Sequence, residues 1–266
     1  TATMIGEKIN DNNNDRKSID REITQEALEM VQNGSALSTD AATIVYNPTW
    51  NKGVVGIVAS RLVEAFYKPT IVLTKSNGFI TGSARSVAGF DLYEAIESCA
   101  DLLENFGGHV YAAGLTLKEG NLEEFVGRID QFIAGKITEE MLTPMTDIDA
   151  KLEFSQITPK FFRLLKQFQP FGPGNTNPVF LTENVSDGGN GRKVGAGGVH
   201  MKLDLIDEKQ PFHQIPAIAF NMAEFYDYIK AGNPFDICYS IVENYYRGNT
   251  TLQLRIKDIK ERDEFI

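Results

Sequence analysis

Two short stretches of the sequence combine small residues with side chains that bind phosphate. In the first, Phe-Gly-Gly-His-Val-Tyr-Ala-Ala-Gly at residues 106–114, Gly107 and Gly108 precede His109. Consecutive glycines leave backbone N–H groups accessible for an anion-binding nest, and an imidazole adds a donor that can change charge near neutral pH. The pattern predicts a tight turn. That turn either binds a phosphate or merely carries an exposed polar histidine.

The second stretch, Gly-Ser-Ala-Arg-Ser at residues 82–86, supports the phosphate interpretation. An apolar strand is predicted just before it, at residues 79–82. Ser83 and Arg85 are therefore expected at a strand end, where α/β folds place ligand-binding residues. A hydroxyl group beside a guanidinium is well suited to hold a phosphate.

Composition limits the kind of nucleic-acid binding that is expected. The chain has 266 residues, of which 42% are hydrophobic, and this length is better divided into two domains than one. Its formal net charge is −10. A broad, non-specific surface for duplex nucleic acid would be basic, so any nucleic-acid footprint must be local.

Cysteine and histidine usage indicates a reducing compartment and no metal centre in this chain. Cys99 and Cys238 are far apart, and His109, His200 and His213 do not show metal-ligand spacing. No apolar run has the length of a membrane span, and no signal-peptide pattern begins the sequence. These features predict a soluble cytoplasmic protein with no membrane partner.

The elements that must position the two stretches begin with one long, polar helix. It is predicted at about residues 6–32 and ends at Asn33-Gly34, although its asparagine-rich part at 10–15 has little to bury. A polar helix at a chain start often bridges domains, and a frayed surface helix is the alternative.

A β/α pattern follows the long helix. A capping pattern opens a helix at Asp91, where Leu92, Ile96, Cys99 and Leu103 recur at helical spacing up to the Gly-Gly-His turn. Gly53 and Gly56 allow close approach of another helix to a strand or a ligand, and strand packing is the favoured interpretation. The remaining strands are predicted at 42–46, 69–74 and 114–117, and the remaining helices at 53–67 and 121–137.

The composition changes near residue 143 to a strand-rich pattern. An alternating strand is predicted at 147–154, with Ile148, Ala150, Leu152 and Phe154 on one face, and a helix begins at Thr158-Pro159. A rigid turn run occupies 170–178, and a glycine-rich mobile loop is predicted at 188–198. Further strands are predicted at 179–185, 200–206, 215–220, 235–244 and 251–259, with a short helix at 222–230 and a hairpin turn at 246–249.

Five or six strands with one helix fit a small barrel such as the OB-fold. Aromatic and basic residues on one face of such a barrel can stack on and steer single-stranded nucleic acid. For each candidate, an ordinary exposed surface position is the alternative. The candidates are Lys193, Lys202, Tyr245, Arg247 and Arg255.

Several strings, taken in order, resemble the DHH family of phosphoesterases. Gly-Val-Val-Gly-Ile-Val-Ala-Ser-Arg-Leu at 53–62 and the two phosphate-binding stretches are similar to its DHH-associated domain. Pro-Phe-Gly-Pro-Gly-Asn-Thr-Asn-Pro-Val-Phe at 170–180, with strings at 217–221 and 247–254, resembles the RecJ exonucleases of that family in particular. The resemblance covers nearly the whole chain.

The resemblance implies an α/β fold class with three parts: a connector helix at residues 1–38, a DHH-associated α/β domain at 39–142, and an OB-fold β-barrel domain at 143–266. No Asp-His-His occurs in the sequence. In the family that motif lies in a separate N-terminal domain that binds Mn²⁺ or Mg²⁺. The chain is therefore expected to be a C-terminal portion that holds no metal itself. Asn51 stands where many family members have histidine, so that histidine's role is not expected here.

The resemblance also implies a function in recombination and repair: 5′→3′ hydrolysis of single-stranded DNA, with single-strand-binding protein as a possible partner. Phosphates near the 5′ end would be bound by Ser83, Arg85, Gly107, Gly108 and His109, and His109 would have an auxiliary catalytic role. The chain by itself is expected to be inactive. The alternatives are a phosphodiesterase for short oligonucleotides or cyclic dinucleotides, a non-catalytic single-stranded nucleic-acid-binding module, or a purely structural interaction protein.

Overall fold

The computed structural model describes residues 2–37, 40–172, 174–207 and 210–262, and the chain divides into two compact units, Thr1–Pro144 and Met145–Ile266. Each unit has its own buried core. Residue 173, within the predicted turn run, lies outside the described residues, as do residues 38 and 39 at the expected end of the connector helix.

The first unit is a five-stranded sheet with helices, as the β/α pattern predicts. Its strands lie in the order β1-β2-β3-β5-β4; β1 and β2 are parallel, and the other neighbours are antiparallel. The elements are α1 (Ala2–Gln32), β1 (Thr43–Tyr46), α2 (Val55–Phe66), β2 (Thr70–Ser76), β3 (Phe79–Arg85), α3 (Leu92–Glu97), β4 (Leu103–His109), β5 (Ala112–Leu117) and α4 (Leu122–Lys136).

The two faces of this sheet differ in what covers them. One face packs Ile80, Ala84 and Leu115 into a core that includes buried residues of α3 and α4. On the other face, Val45 of β1 and Val72 of β2 are buried among residues of α1 and α2. Because alternate residues of a strand point to opposite faces, this second face continues across β3, β5 and β4 through residues with small or polar side chains.

The long helix α1 is confirmed, and it is fastened to the segment that precedes α2. Its Asp20 forms an ion pair with Arg61 of α2 (2.5 Å). The Trp50 indole N–H donates to Glu26 of α1 (2.7 Å), while the Trp50 carbonyl accepts from Thr74 of β2 (2.7 Å). The start of α2 is thus held from two sides. Cys99 is buried, as its helical spacing predicts, and both cysteines are free thiols.

The predicted continuous helix from Asp91 to Leu103 is wrong in its second half. Asp91 does cap α3 by accepting from the Glu94 N–H (3.0 Å), but α3 ends at Glu97. A 3₁₀ turn follows at Ala100–Leu102, and Leu103 begins β4. Backbone pairing of β4 with β5 accounts for the difference, because tertiary pairing in a sheet overrides a local helical spacing.

The second unit contains a closed barrel. Strand β7 pairs with both β11 and β9, which closes the cycle β7-β11-β12-β10-β9 and confirms the barrel prediction. The elements are β6 (Ala150–Lys151), α5 (Pro159–Leu165), β7 (Phe180–Asp187), β8 (Arg192–Val194), β9 (His200–Asp207), β10 (Gln210–Ala219), α6 (Tyr226–Lys230), β11 (Phe235–Tyr246) and β12 (Asn249–Glu261).

Two sequence predictions in this unit need correction. Of the predicted strand at 147–154, only Ala150–Lys151 is a strand, paired with β7, and Ile148 is exposed. The glycine-rich segment 188–198, predicted as a loop, contains β8, which pairs with β9. The Asp187 carboxylate organises the approach to β8, because it accepts from the N–H groups of Gly189, Gly191 and Asp204 at 2.8–3.1 Å.

Candidate nucleic-acid interface

Ser83 and Arg85 both belong to β3 and share one of its faces. The sequence predicts both residues at a strand end. Ser83 instead lies inside the strand, and Arg85 is its last residue. Arg85 Nη1 donates to the Ser83 hydroxyl oxygen and to the Ala84 carbonyl, each at 2.8 Å. Because Ser83 Oγ accepts this bond, its own proton remains available to donate to another group.

The Arg85 guanidinium is half-buried, and no carboxylate among the described residues forms an ion pair with it. Burial lowers the pKa of Arg85. An arginine nevertheless stays protonated in proteins, so this partly desolvated charge is compensated only by neutral oxygens. Such a charge is stabilised by an incoming anion, and a phosphate matches its planar set of donors.

Strand register places His109 and Gly107 on the same face as Arg85 and Ser83. Arg85 is opposite Ala112 of β5, and Ala112 is opposite His109 of β4. The next row on this face runs from Ser83 through Gly114 to Gly107. We call these two rows the polar face, which consists of Ser83, Arg85, Ala112, Gly114, Gly107 and His109.

The polar face is open above its glycines. A Cβ atom added to Gly107 would meet no described atom within 4 Å, and one added to Gly114 would meet only the Gly82 carbonyl oxygen, at 3.8 Å. Gly107, Gly114 and His109 are exposed. The face therefore offers a shallow floor on which a sugar–phosphate backbone can approach Arg85 and Ser83 closely.

The predicted tight turn at Gly107-Gly108-His109 is wrong, because all three residues are in β4. A nest requires alternating helical conformations, whereas a strand is extended, so successive N–H groups do not converge here. The turn is one step later, at Val110-Tyr111. Gly108 faces away from the polar face, and a Cβ there would be 2.5 Å from Ala113 Cα, so this glycine lets β4 pair closely with β5.

Gly56 brings the start of α2 against Ser83 and Arg85. A Cβ on Gly56 would lie 3.0 Å from Arg85 Nη2 and 3.2 Å from Ser83 Oγ. Close helix–strand packing at this glycine is confirmed. Asn51 has a local role in the preceding segment, since its side-chain oxygen accepts from the Gly53 N–H (2.8 Å).

In the second unit, register brings Lys202 and Arg255 together on the outside of the barrel. Lys202 of β9 is opposite Ile218 of β10, which is opposite Arg255 of β12. The Arg255 guanidinium lies 5.2 Å from the centre of the Phe220 ring, which is 43% exposed. His200 contacts the same ring edge-on, at 5.2 Å between centres. An exposed aromatic ring beside a guanidinium is suited to stacking on a base.

The other three barrel candidates do not share this position. Lys193 is opposite Met201 and its ammonium lies over Tyr226 (5.0 Å), so it points away from the Lys202 row. Tyr245 and Arg247 are at the far end of the β11–β12 hairpin, and Tyr245 is about 17 Å along the strand from the row of Arg255.

Sequence reasoning missed Arg192, Gly114 and Ala112. Arg192 pairs with Lys202 and so extends the row of Lys202 and Arg255 on the outside of the barrel, which we call the outer row. If residues 192–194 had been predicted as a strand, the alternation of side chains along it would have indicated Arg192 as an outward-facing residue. Gly114 and Ala112 were part of a noted motif, but only the register of β5 places them beside Ser83 and Arg85.

Metal-ligand clusters and membrane-spanning helices are both absent from the described residues. Within them, no group of three or more His, Cys, Asp or Glu side chains is arranged to hold a metal ion. No helix in this part of the chain has the length and apolar character needed to cross a membrane.

Two protein-family models match the chain. Residues 39–135 match the DHHA1 domain and residues 148–258 match the RecJ OB domain. Among characterised relatives, the single-stranded-DNA-specific exonuclease RecJ of Bacillus subtilis is 35% identical over 97% of this chain, and RecJ of Haemophilus influenzae is 31% identical over 95%. These alignments span 32% and 44% of the two relatives, so the chain corresponds to less than half of their length.

A solved structure supports the same assignment of the fold. The crystal structure of RecJ in complex with Mn²⁺ from Thermus thermophilus superposes with a TM-score of 0.71 at 24% identity, covering 94% of this chain and 35% of that one. With both domains matched in order and the fold shared, the chain belongs to the RecJ family and comprises a DHHA1 domain followed by a RecJ OB domain.

Proposed function

We propose that this chain is the substrate-binding part of a 5′→3′ exonuclease that hydrolyses single-stranded DNA in recombination and repair. The observation that carries the proposal is the half-buried Arg85, which no described carboxylate neutralises, at the edge of an open face of small residues. RecJ relatives are named for action on single-stranded DNA. The proposed cellular site is the cytoplasm, where the two free cysteines would stay reduced.

The polar face would bind the phosphates near the 5′ end. Arg85 directs its remaining N–H groups to phosphate oxygens, and Ser83 donates its hydroxyl proton to the same group. Gly107 and Gly114 leave room for the backbone to approach. His109, two strands from Arg85, contacts the neighbouring phosphate, where an imidazolium would offset charge that develops during hydrolysis.

The barrel would hold the strand further from its end. The outer row of Arg192, Lys202 and Arg255 supplies positive charge, and Phe220 supplies a ring for stacking. Tyr245 and Arg247 would contact a different nucleotide, because the hairpin places them elsewhere. These few cations agree with local binding by a chain of net charge −10.

We propose divalent metal ions for the whole enzyme. The donor set does not fit a metal, since the described residues bring together no sufficient group of carboxylate, imidazole or thiolate ligands. We therefore assign Mn²⁺ or Mg²⁺ to a domain outside this sequence and derive no step through a metal here. Single-strand-binding protein is proposed as a partner at the level of the family only.

The central test compares oligonucleotides with a 5′-phosphate or a 5′-hydroxyl, labelled at the 3′ end, by fluorescence anisotropy. Arg85→Ala should weaken binding of the phosphorylated strand about 10- to 150-fold, because it removes a charge-assisted hydrogen bond. Arg247→Ala should weaken binding less. Arg128→Ala is the matched control, since Arg128 lies on α4, across the sheet, and is paired with Asp101 and Glu124. Equal losses for Arg85→Ala and Arg128→Ala would refute the placement.

Adding Mn²⁺ to the same phosphorylated strand separates binding from catalysis. The proposal expects binding without hydrolysis by this chain. Metal-dependent hydrolysis that survives repeated purification would show a catalytic site within these residues and would contradict a purely substrate-binding role. The alternative of a short-oligonucleotide phosphodiesterase predicts that affinity does not rise as the strand is lengthened beyond a few nucleotides. The outer row of the barrel favours the longer strand.

A further inference from the structure

The turn that joins β4 and β5 carries an aromatic residue next in sequence to Ala112 of the polar face. Tyr111 and Val110 form this turn between His109 and Ala112. Two backbone hydrogen bonds fix the turn to the segment that follows β3: the Ser86 N–H donates to the Tyr111 carbonyl (3.0 Å), and the Leu92 N–H donates to the Val110 carbonyl (3.1 Å). The backbone of Tyr111 therefore lies next to the residue that follows Arg85.

Tyr111 is 59% exposed. Within the described part of the chain, it has neither a ring contact nor a side-chain hydrogen bond. Packing of the first unit therefore does not explain its size. An aromatic ring on a fixed turn loses little conformational freedom when a planar group stacks on it, and every nucleobase presents such a planar face.

We propose that Tyr111 is a substrate-recognition residue that stacks on the base of the nucleotide whose phosphate is bound by Arg85. The inference rests on the proposed function, because it takes the polar face as the phosphate site. One sugar joins a base to its 5′-phosphate, so a group beside Ser86 can reach the base while Arg85 holds the phosphate. Recognition then requires a base as well as a terminal phosphate.

The test uses two 5′-phosphorylated oligonucleotides that differ only in whether the first nucleotide carries a base or is abasic. Tyr111→Ala should weaken binding of the base-bearing strand about 5- to 150-fold, the range for loss of one base–aromatic stack. It should leave binding of the abasic strand unchanged. Tyr111→Phe should retain the affinity of the unaltered chain, since the ring and not the hydroxyl makes the contact.

Two controls separate stacking from structural effects. Phe79→Ala removes another exposed ring from the opposite end of β3 and should not change either affinity. The fluorescence of a 2-aminopurine base at the first position should be quenched when the strand binds to the unaltered chain. This quenching should disappear in Tyr111→Ala.

An equal loss on both strands, or no loss on the base-bearing strand, overturns the inference. If Arg85→Ala abolishes the preference for a 5′-phosphate while Tyr111→Ala changes nothing, the stacking role is wrong and the phosphate site stands. If Arg85→Ala itself has no effect, the proposed phosphate site fails, and the inference fails with it.

Discussion

Arg85 and Arg128 show how the surroundings of one residue type decide what it can do. Arg128 is bonded to Asp101 and Glu124, which raise its pKa, and its charge is already satisfied. Arg85 is half-buried, its pKa is lowered by burial, and it bonds only neutral oxygens. The charge of Arg128 is thus balanced by its own ion pairs, whereas the charge of Arg85 can be balanced by an incoming anion.

Gly56→Ala tests whether the fit between α2 and Arg85 matters for binding. The added methyl group would lie 3.0 Å from Arg85 Nη2, so the guanidinium must move. Alanine favours a helix over glycine by up to about 1 kcal/mol, so the free energy of unfolding should not fall. We expect unchanged or higher stability in urea together with weaker binding of a 5′-phosphorylated strand. Unchanged affinity would show that Arg85 needs no support from α2.

The raised pKa of Tyr239 predicts that the barrel loses stability at alkaline pH. Burial raises its pKa to about 12 from 10.0, although its hydroxyl is hydrogen-bonded to Thr182 (2.8 Å). Between these values the unfolded chain releases the proton and the folded chain keeps it, so stability falls as pH rises. The loss is about 1.4 kcal/mol per pH unit, or up to about 3 kcal/mol in total.

Tyr239→Phe is the variant that isolates this contribution. The free energy of unfolding in urea, measured from about pH 9 to about pH 12, should decline less steeply in the variant than in the unaltered chain. Parallel curves would mean that Tyr239 titrates alike in the folded and unfolded chains.

At the level of elements, the β4–β5 pair gives two adjacent glycines different roles. Gly107 faces open space on the polar face, whereas Gly108 faces Ala113. Gly107→Ala should change the free energy of unfolding by no more than about 0.5 kcal/mol. It should weaken binding of the phosphorylated strand, because the added methyl group projects from the polar face. Gly108→Ala should lower the free energy of unfolding by about 1–3 kcal/mol, because backbone must shift.

Urea unfolding and anisotropy on both variants check this pair of expectations. The opposite pattern, in which Gly107→Ala unfolds more easily while Gly108→Ala only binds more weakly, would show that the face assignment of β4 is reversed.

At the level of the whole molecule, the two units have separate hydrophobic cores and are joined at Pro144-Met145. We expect residues 1–144 and 145–266, produced separately, to unfold cooperatively, each in its own transition. The first should retain the Arg85-dependent preference for a 5′-phosphate, and the second should bind single strands without regard to the terminal phosphate. Circular dichroism and anisotropy measure both properties. Loss of cooperative unfolding in either piece would contradict independent cores.

Local patterns in the sequence were sufficient to predict several helices and strands. Apolar periodicity located α1, α4 and the barrel strands, and the Thr158-Pro159 cap located α5. Ordered motifs were sufficient to indicate the family. They also indicated Ser83, Arg85 and His109 as candidate site residues without any coordinates. These properties depend on residues close together in the chain, which is why a single sequence contains them.

Only the tertiary structure decided how those residues are arranged. Strand register put Arg85, Ala112 and His109 in one row, turned Gly108 away from it, and gave the outer row of the barrel to Arg192 and not Lys193. It also ended α3 early, because β4 pairs with β5. A shift of one residue in a strand exchanges its two faces, and register depends on partners distant in sequence. Local patterns could therefore propose candidate residues for the site but not their arrangement.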